Sequence, residues 1–285
     1  MNNMNLKYLV NISNKIGKRC DYTQGGGGNT SVKIDSENMA IKASGSTLKE
    51  MSLVKGFTII NYKDLIDFIF SPNFIDTGED KINKYICSLS VDKGLRPSIE
   101  AGLHSLIDKK FVLHTHSIYA NVLCCSDEGE DILKQLFPEA VYLNYFSPGK
   151  YITNELAKKL NNSSSNKVIF LENHGLVVAD DCPEDLLLSH EHVNDAIMNY
   201  FKINKVSSFD TKKFNHHGVL FPDQVVYSSS KDTNISAAKA ETIGAYNYII
   251  ETIINNKLTP RYLKDSDISY IQSMESEKYR EKIIK

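Results

Sequence analysis

The sequence predicts an α/β protein: a layered fold with a central, mostly antiparallel sheet flanked by helices. Two observations point there. Short apolar runs of strand character recur between segments with helical spacing, so strands and helices intermix along the chain. They do so without the regular strand–helix–strand rhythm that builds a parallel sheet.

The elements follow in order. Leu6, Leu9, Val10 and Ile16 sit at helical spacing, and Gly17 ends that helix. Ser31 to Ile34 and Met39 to Lys42 read as strands around an Asp35-Ser36-Glu37-Asn38 turn. Phe57 to Ile60 is a strand, followed by a helix through Leu65, Ile66 and Ile69. A helix is expected to open at Pro97, whose fixed φ suits a first helical position, and to carry Ile99, Leu103, Leu106 and Ile107. A strand at Phe111 to Leu113, a helix from about Ser117 to Cys125, a strand at Val141 to Leu143 and a helix near Asn154 to Leu160 come next. Residues 161–166 read as a surface loop. Val168 to Leu171 and Leu176 to Val178 are strands either side of Asn173-His174-Gly175, and a long helix runs from Pro183 to Tyr200. From about Ser207 the pattern changes. A strand at Gln224 to Tyr227, a helix from Ala237 to Ile254 and a polar helical end are expected there.

The 285 residues carry 33 Lys+Arg against 35 Asp+Glu, a formal charge of -2. That balance argues against a broad basic face for nucleic acid and against a polybasic membrane-surface binder. No apolar run is long enough to span a bilayer. The five scattered cysteines include no C-x-x-C pair, so a disulfide framework or thiolate zinc site is not expected and a cytoplasmic location is.

His114-Thr115-His116 directly follows an apolar strand. If the strand continues, its period of two puts both imidazoles on one side, as two ligands of one ion require. Two surface or core histidines without a ligand fit the same spelling. His174, in a turn beside Gly175, would complete a three-histidine site with a vacant position, the pattern of catalytic zinc. His104, His190, His192, His216 and His217 read as structural or solvated.

Gly25 to Gly28 let the backbone turn freely and approach a ligand. Their amides could form a nest for phosphate oxygens, with donors from Asn29, Thr30 and Ser31; a flexible loop reads equally. Ser44-Gly45 is a second possible phosphate-contacting turn, or the approach to a helix capped by Ser46. Ser98 could offer its hydroxyl and amide to an anion at a helix N-terminus. Glu100 could be a buried acid/base, or could simply complement a helix dipole.

Together, GGGGNTSVK (Gly25 to Lys33), ASG (Ala43 to Gly45), RPSIE (Arg96 to Glu100), HTH (His114 to His116) and ENHGLVV (Glu172 to Val178) resemble the class II aldolase/adducin family. The resemblance covers about residues 5 to 205 well and is strongest to the aldolase half of rhamnulose-1-phosphate aldolase/dehydrogenase-type proteins; the tail, LFPDQVVYS (Leu220 to Ser228) and ESEKYR (Glu275 to Arg280), also resembles the end of that half. It implies a class II aldolase-like domain over 1–205. A C-terminal extension, 206–285, would then be a strand plus helices packed on the same domain.

It also implies a zinc-type divalent ion held by His114, His116 and His174, with Glu100 as the acid/base. Substrate phosphate contacts would fall on Gly28, Asn29, Ser44, Gly45 and Ser98. The implied reaction is reversible cleavage of a phosphorylated ketose to dihydroxyacetone phosphate and an aldehyde through a metal-stabilised enediolate. An epimerase, a 3-oxo-acid phosphate decarboxylase and a non-catalytic adducin-like module are the alternatives. A sugar phosphate is the expected partner and a homotetramer the expected assembly. The sequence departs from the family at Ile99, where sugar-phosphate aldolases usually carry a second serine; Lys33 is the expected compensating charge. Tyr119, Tyr142 and Tyr145 are candidates for protonating the aldehyde.

Overall fold

A computed structural model describes residues 3–91, 95–160, 167–209, 218–228 and 236–283. The 161–166 loop, His216 and His217 lie outside the described residues.

Seven strands form one sheet: β1 (Asn29–Lys33), β2 (Asn38–Lys42), β3 (Phe57–Asn61), β4 (Phe111–Thr115), β5 (Val141–Leu143), β6 (Val168–Leu171) and β7 (Gly175–Asp180). Their spatial order is β3-β2-β1-β4-β7-β6-β5. Every neighbouring pair is antiparallel except β5 with β6.

Period-two alternation sorts the side chains into two cores. Val32, Phe111, Leu113, Phe170, Leu176 and Val178 face one layer of helices. That layer holds α1 (Asn3–Gly17), α5 (Ile118–Cys124), α8 (Pro183–Phe201) and α10 (Ala237–Asn255). Met39, Ile41 and Ile60, and further along the sheet Val112, Ile169 and Val177, face the other. There α2 (Tyr62–Ile69), α3 (Glu79–Ser88), α4 (Ala101–Leu106) and α7 (Lys150–Leu160) pack. The helix α6 (Gly129–Leu136) follows α5; α9 (Pro222–Ser228), α11 (Asp265–Ser273) and α12 (Glu275–Ile283) form a smaller cap with its own apolar cluster.

Three expectations are corrected. Gln224 to Tyr227 is helical, inside α9. Val225, Val226 and Tyr227 are all buried, so the run carries no helical polar face and imitates a strand. Pro222 sets the first helical φ, and the Gln224 side chain accepts from Leu220 N at 2.8 Å, fixing the entry. The helix expected at Pro97 begins at Ala101 instead, because Pro97 bridges to Ala43 just past the end of β2. Finally, α3 and α6 were not anticipated.

Candidate active site

The site lies where β4 and β7 end together. His114 sits on β4 opposite Val177 of β7, and His116 follows one residue beyond the strand. Alternation sends both rings to one face: their centroids are 5.0 Å apart. Thr115, between them, points to the opposite face and meets His190 of α8 at 2.9 Å.

His174 enters from the turn before β7. Asn173 beside it has φ of 51°, a left-handed conformation that asparagine tolerates better than most residues. The turn is pinned from three sides: Asn173 N donates to Cys124 O, and its amide side chain donates to Leu220 O and Arg261 O. The His174 ring centroid stands 4.9 Å from that of His114 and 5.2 Å from that of His116.

Glu100, at the cap position of α4, reaches into this triangle. Its Oε1 is 3.3 Å from His114 Nε2 and 3.4 Å from His174 Nε2. Burial lowers the pKa of His114 and takes that of His174 down to about 3, so both imidazoles are neutral near pH 7. Burial pushes Glu100 upward, but the surrounding imidazoles, His114 first, hold it below the ordinary carboxylate range.

The donor set fits a zinc-type ion. One ligand atom from each of the three buried histidines falls within 4.8 Å of the others. The His114 Nδ1 lies 3.1 Å from Leu176 O; a carbonyl can only accept, so in the neutral ring Nδ1 carries the hydrogen. His114 Nε2 and His174 Nδ1 are buried without a hydrogen-bond partner. Free lone pairs on neutral imidazoles are what such an ion binds.

The expected phosphate contacts gather beside the triangle. Gly28 and Gly45 have φ of 75° and 78°, and with Ser44 and Ser98 they line a cavity of about 30 Å³ that also touches Glu100, His116 and His174. Asn29, paired across the sheet with His114, is not in that lining; its side chain donates to Ser98 Oγ and, at 3.3 Å, to Glu100 Oε2. Ser98 does not sit at the helix terminus, since α4 starts three residues later, and its amide is already spent on Lys42 O. Its hydroxyl oxygen accepts from Asn29 and from Glu100 N, which leaves its own hydrogen to give.

Lys33 does not compensate for the missing serine: its ammonium donates to Ile107 O. Tyr119, Tyr142 and Tyr145 do not line the cavity either; Tyr119 is a core residue bonded to Asp21.

Sequence reasoning missed four charged residues in this lining: Lys42, Asp223, Glu277 and Arg280. Lys42 is buried and donates to Gly26 O at 2.8 Å; burial, then Arg280, lowers its pKa to about 8. Its signal was its place in β2 next to Ser44. Asp223 lies in LFPDQVVYS and Glu277 and Arg280 in ESEKYR, stretches whose resemblance to the family carries no role for these residues, and the first reads as holding a strand. Glu277 and Arg280 fill the site so far that 30 Å³ remains, room for about one water. A larger half-open cleft of 610 Å³ adjoins it, sharing Ser44, Ser98, Ile99 and Ser276.

With this geometry in hand, the chain can be placed. Residues 7–201 match the Class II Aldolase and Adducin N-terminal domain, and the chain belongs to that family. A Bacillus subtilis protein named "Uncharacterized oxidoreductase YuxG" is 28% identical over 224 residues, 72% of this chain; the aligned stretch spans 31% of that relative. The "3-oxo-tetronate 4-phosphate decarboxylase" of Haemophilus influenzae is 24% identical over 217 residues, covering 69% of this chain and 90% of that one. The N-terminal class II aldolase domain of a conserved Thermoplasma acidophilum protein superposes with a TM-score of 0.62. It is 25% identical and covers 68% of this chain and 92% of that one. The fold is shared also with YgbL of Klebsiella pneumoniae, described as a putative aldolase/epimerase/decarboxylase, at a TM-score of 0.51 and 18% identity over 70% of this chain and 89% of that one. Among the described residues no helix is long and apolar enough to cross a membrane.

Proposed function

We propose that this chain is a metal-dependent class II aldolase-type lyase acting on a phosphorylated ketose. The observation that carries the reading is the meeting of three buried imidazoles with one buried carboxylate. His114, His116 and His174 would hold the ion, which when bound supplies Lewis acidity for negative charge developing beside a carbonyl.

Glu100 does the proton work. Its Oε1 lies within 3.4 Å of two of the imidazoles, so it reaches a substrate carbon or hydroxyl held there. Asn29 orients it by donating to its second oxygen. Ser98 gives its hydroxyl hydrogen to a phosphate oxygen, and Ser44 and Gly45 bring backbone close to the same group. Gripping the phosphate away from the reacting carbon converts remote binding energy into alignment. Lys42 adds a positive charge in the same wall.

A second reading, a 3-oxo-acid phosphate decarboxylase, is favoured by the relative from Haemophilus influenzae. A substrate panel separates the two. Dihydroxyacetone phosphate is offered with lactaldehyde, glycolaldehyde and glyceraldehyde in the condensation direction, and carbon dioxide release is followed from 3-oxo-acid phosphates. Glu100→Gln is expected to retain zinc while slowing proton exchange on dihydroxyacetone phosphate by about a hundredfold or more. A purified protein that takes up no divalent metal on titration would end both readings.

A further inference from the structure

Two charged side chains from beyond the family-matched residues reach the metal-holding triangle. Asp223 stands in the first turn of α9, and its Oδ2 lies 2.9 Å from His116 Nδ1. Arg280, on α12, donates through Nη2 to the other oxygen, Asp223 Oδ1. The same guanidinium sits 5.4 Å from the centre of the Tyr227 ring and pairs with Glu277 through Nε at 2.9 Å. The Asp223 side chain is 3% exposed and that of Arg280 17%.

Burying a carboxylate is costly unless opposite charge meets it. Here Arg280 donates to Oδ1, while Oδ2 has no hydrogen bond of its own and lies in ion-pair contact, 2.9 Å, with His116 Nδ1. The glycine loop is shaped around the second pair. A Cβ at Gly27 would come within 2.5 Å of His116 Nδ1 and 2.6 Å of Asp223 Oδ2. With Nδ1 engaged, His116 has Nε2 left to ligate.

We infer that Asp223 is the positioning residue of the metal centre. It fixes the His116 ring so that Nδ1 donates to the carboxylate and Nε2 points at the ion, while Arg280 anchors Asp223 from behind. A carboxylate behind a ligating histidine orients the ring and raises its basicity. This rests on the reading of the three histidines as metal ligands. It gives the segment after residue 205 a part in the site, because the cap formed by α9 and α12 supplies both groups.

The test is zinc affinity, measured on metal-stripped protein by competition with a chromophoric chelator, together with the visible spectrum of the cobalt(II) form. Asp223→Asn and Asp223→Ala are expected to bind zinc 10- to 100-fold more weakly, a loss typical of removing such a partner. The cobalt bands should also change in both variants. Arg280→Met is expected to weaken zinc in the same direction by less. Thermal melting of the metal-stripped variants reports folding; if Asp223→Ala does not fold, Asp223→Asn decides. A folded Asp223 variant with zinc affinity within twofold of the parent and an unchanged cobalt spectrum overturns the inference. An Arg280→Met protein equal to the parent removes Arg280 from it. A parent that binds no zinc takes the metal reading down with it, so the two failures are told apart.

Discussion

Two of the places where this molecule buries histidine treat it in opposite ways. Under α8, His190 is a completed residue. Its Nε2 meets Thr115 Oγ1 at 2.9 Å, Nδ1 faces the Asn194 amide at 3.5 Å, and its ring packs edge-on against Tyr22 with centroids 4.6 Å apart. Across the sheet, one residue along in register, His114 Nε2 and His174 Nδ1 are left without a hydrogen bond, and the Nε2 of each ring lies within 3.4 Å of Glu100 Oε1. The lesson is that burial alone does not mark a ligand. An imidazole with both nitrogens matched is finished as a piece of core, whereas imidazoles left unmatched in a group are held in readiness for something else.

The largest effect that sharpens this contrast is on metal. His174→Ala is expected to weaken zinc a hundredfold or more, since one ligand of a typical four-ligand site contributes about 3 kcal/mol. Chelator competition reads it. His190→Ala should leave zinc affinity within twofold while costing about 2–4 kcal/mol of stability in urea, because it opens a cavity and orphans Thr115 and Asn194. Equal effects of the two variants on zinc would erase the distinction.

A smaller effect is on pH dependence. Burial takes His190 down to about 3, against about 6.5 in an unfolded chain. The unfolded chain therefore gains a proton first as the medium becomes acidic. The stability is fully present above pH 6.5 and is lost progressively as pH falls toward 3. At pH 5 the loss is about 2 kcal/mol for such a group. Metal-stripped protein melted from pH 7 to pH 5 should show a decline of at least this size, since His104, His114 and His174 are lowered too, and His190→Gln should reduce it by the His190 share. An identical slope in that variant would show that His190 takes up its proton alike in the folded and unfolded states.

Much of the sheet could be read from sequence because each strand has one face toward each helical layer, so its alternation survives in the spelling. Hairpin residues such as Asp35 to Asn38 punctuate it. The strand period also brought His114 and His116 to one face, and a turn beside Gly175 brought His174 to them. What escaped has a common cause. Val225, Val226 and Tyr227 are buried on every side in α9, so no periodicity distinguishes their helix from a strand. Asp223 and Arg280 are ordinary charged residues in the sequence, and their meeting depends on how α9 and α12 fold back over the cavity. Pro97 signalled a helix four residues too early because a proline φ suits an extended bridge past the end of β2 as well as a first helical turn.

The position of α10 has a consequence for how the chain is made. Ala245, Tyr246, Ile249 and Ile253 belong to the same apolar cluster as Leu6, Leu9, Ile12 and Ile16 of α1. During synthesis the first helix meets β1 and the 48–50 turn early, but the cluster it belongs to stays open on the α10 side until residue 253 has cleared the ribosomal tunnel. At a few to twenty residues per second that exposure lasts for tens of seconds at the slower end, the interval in which a chaperone has something to hold.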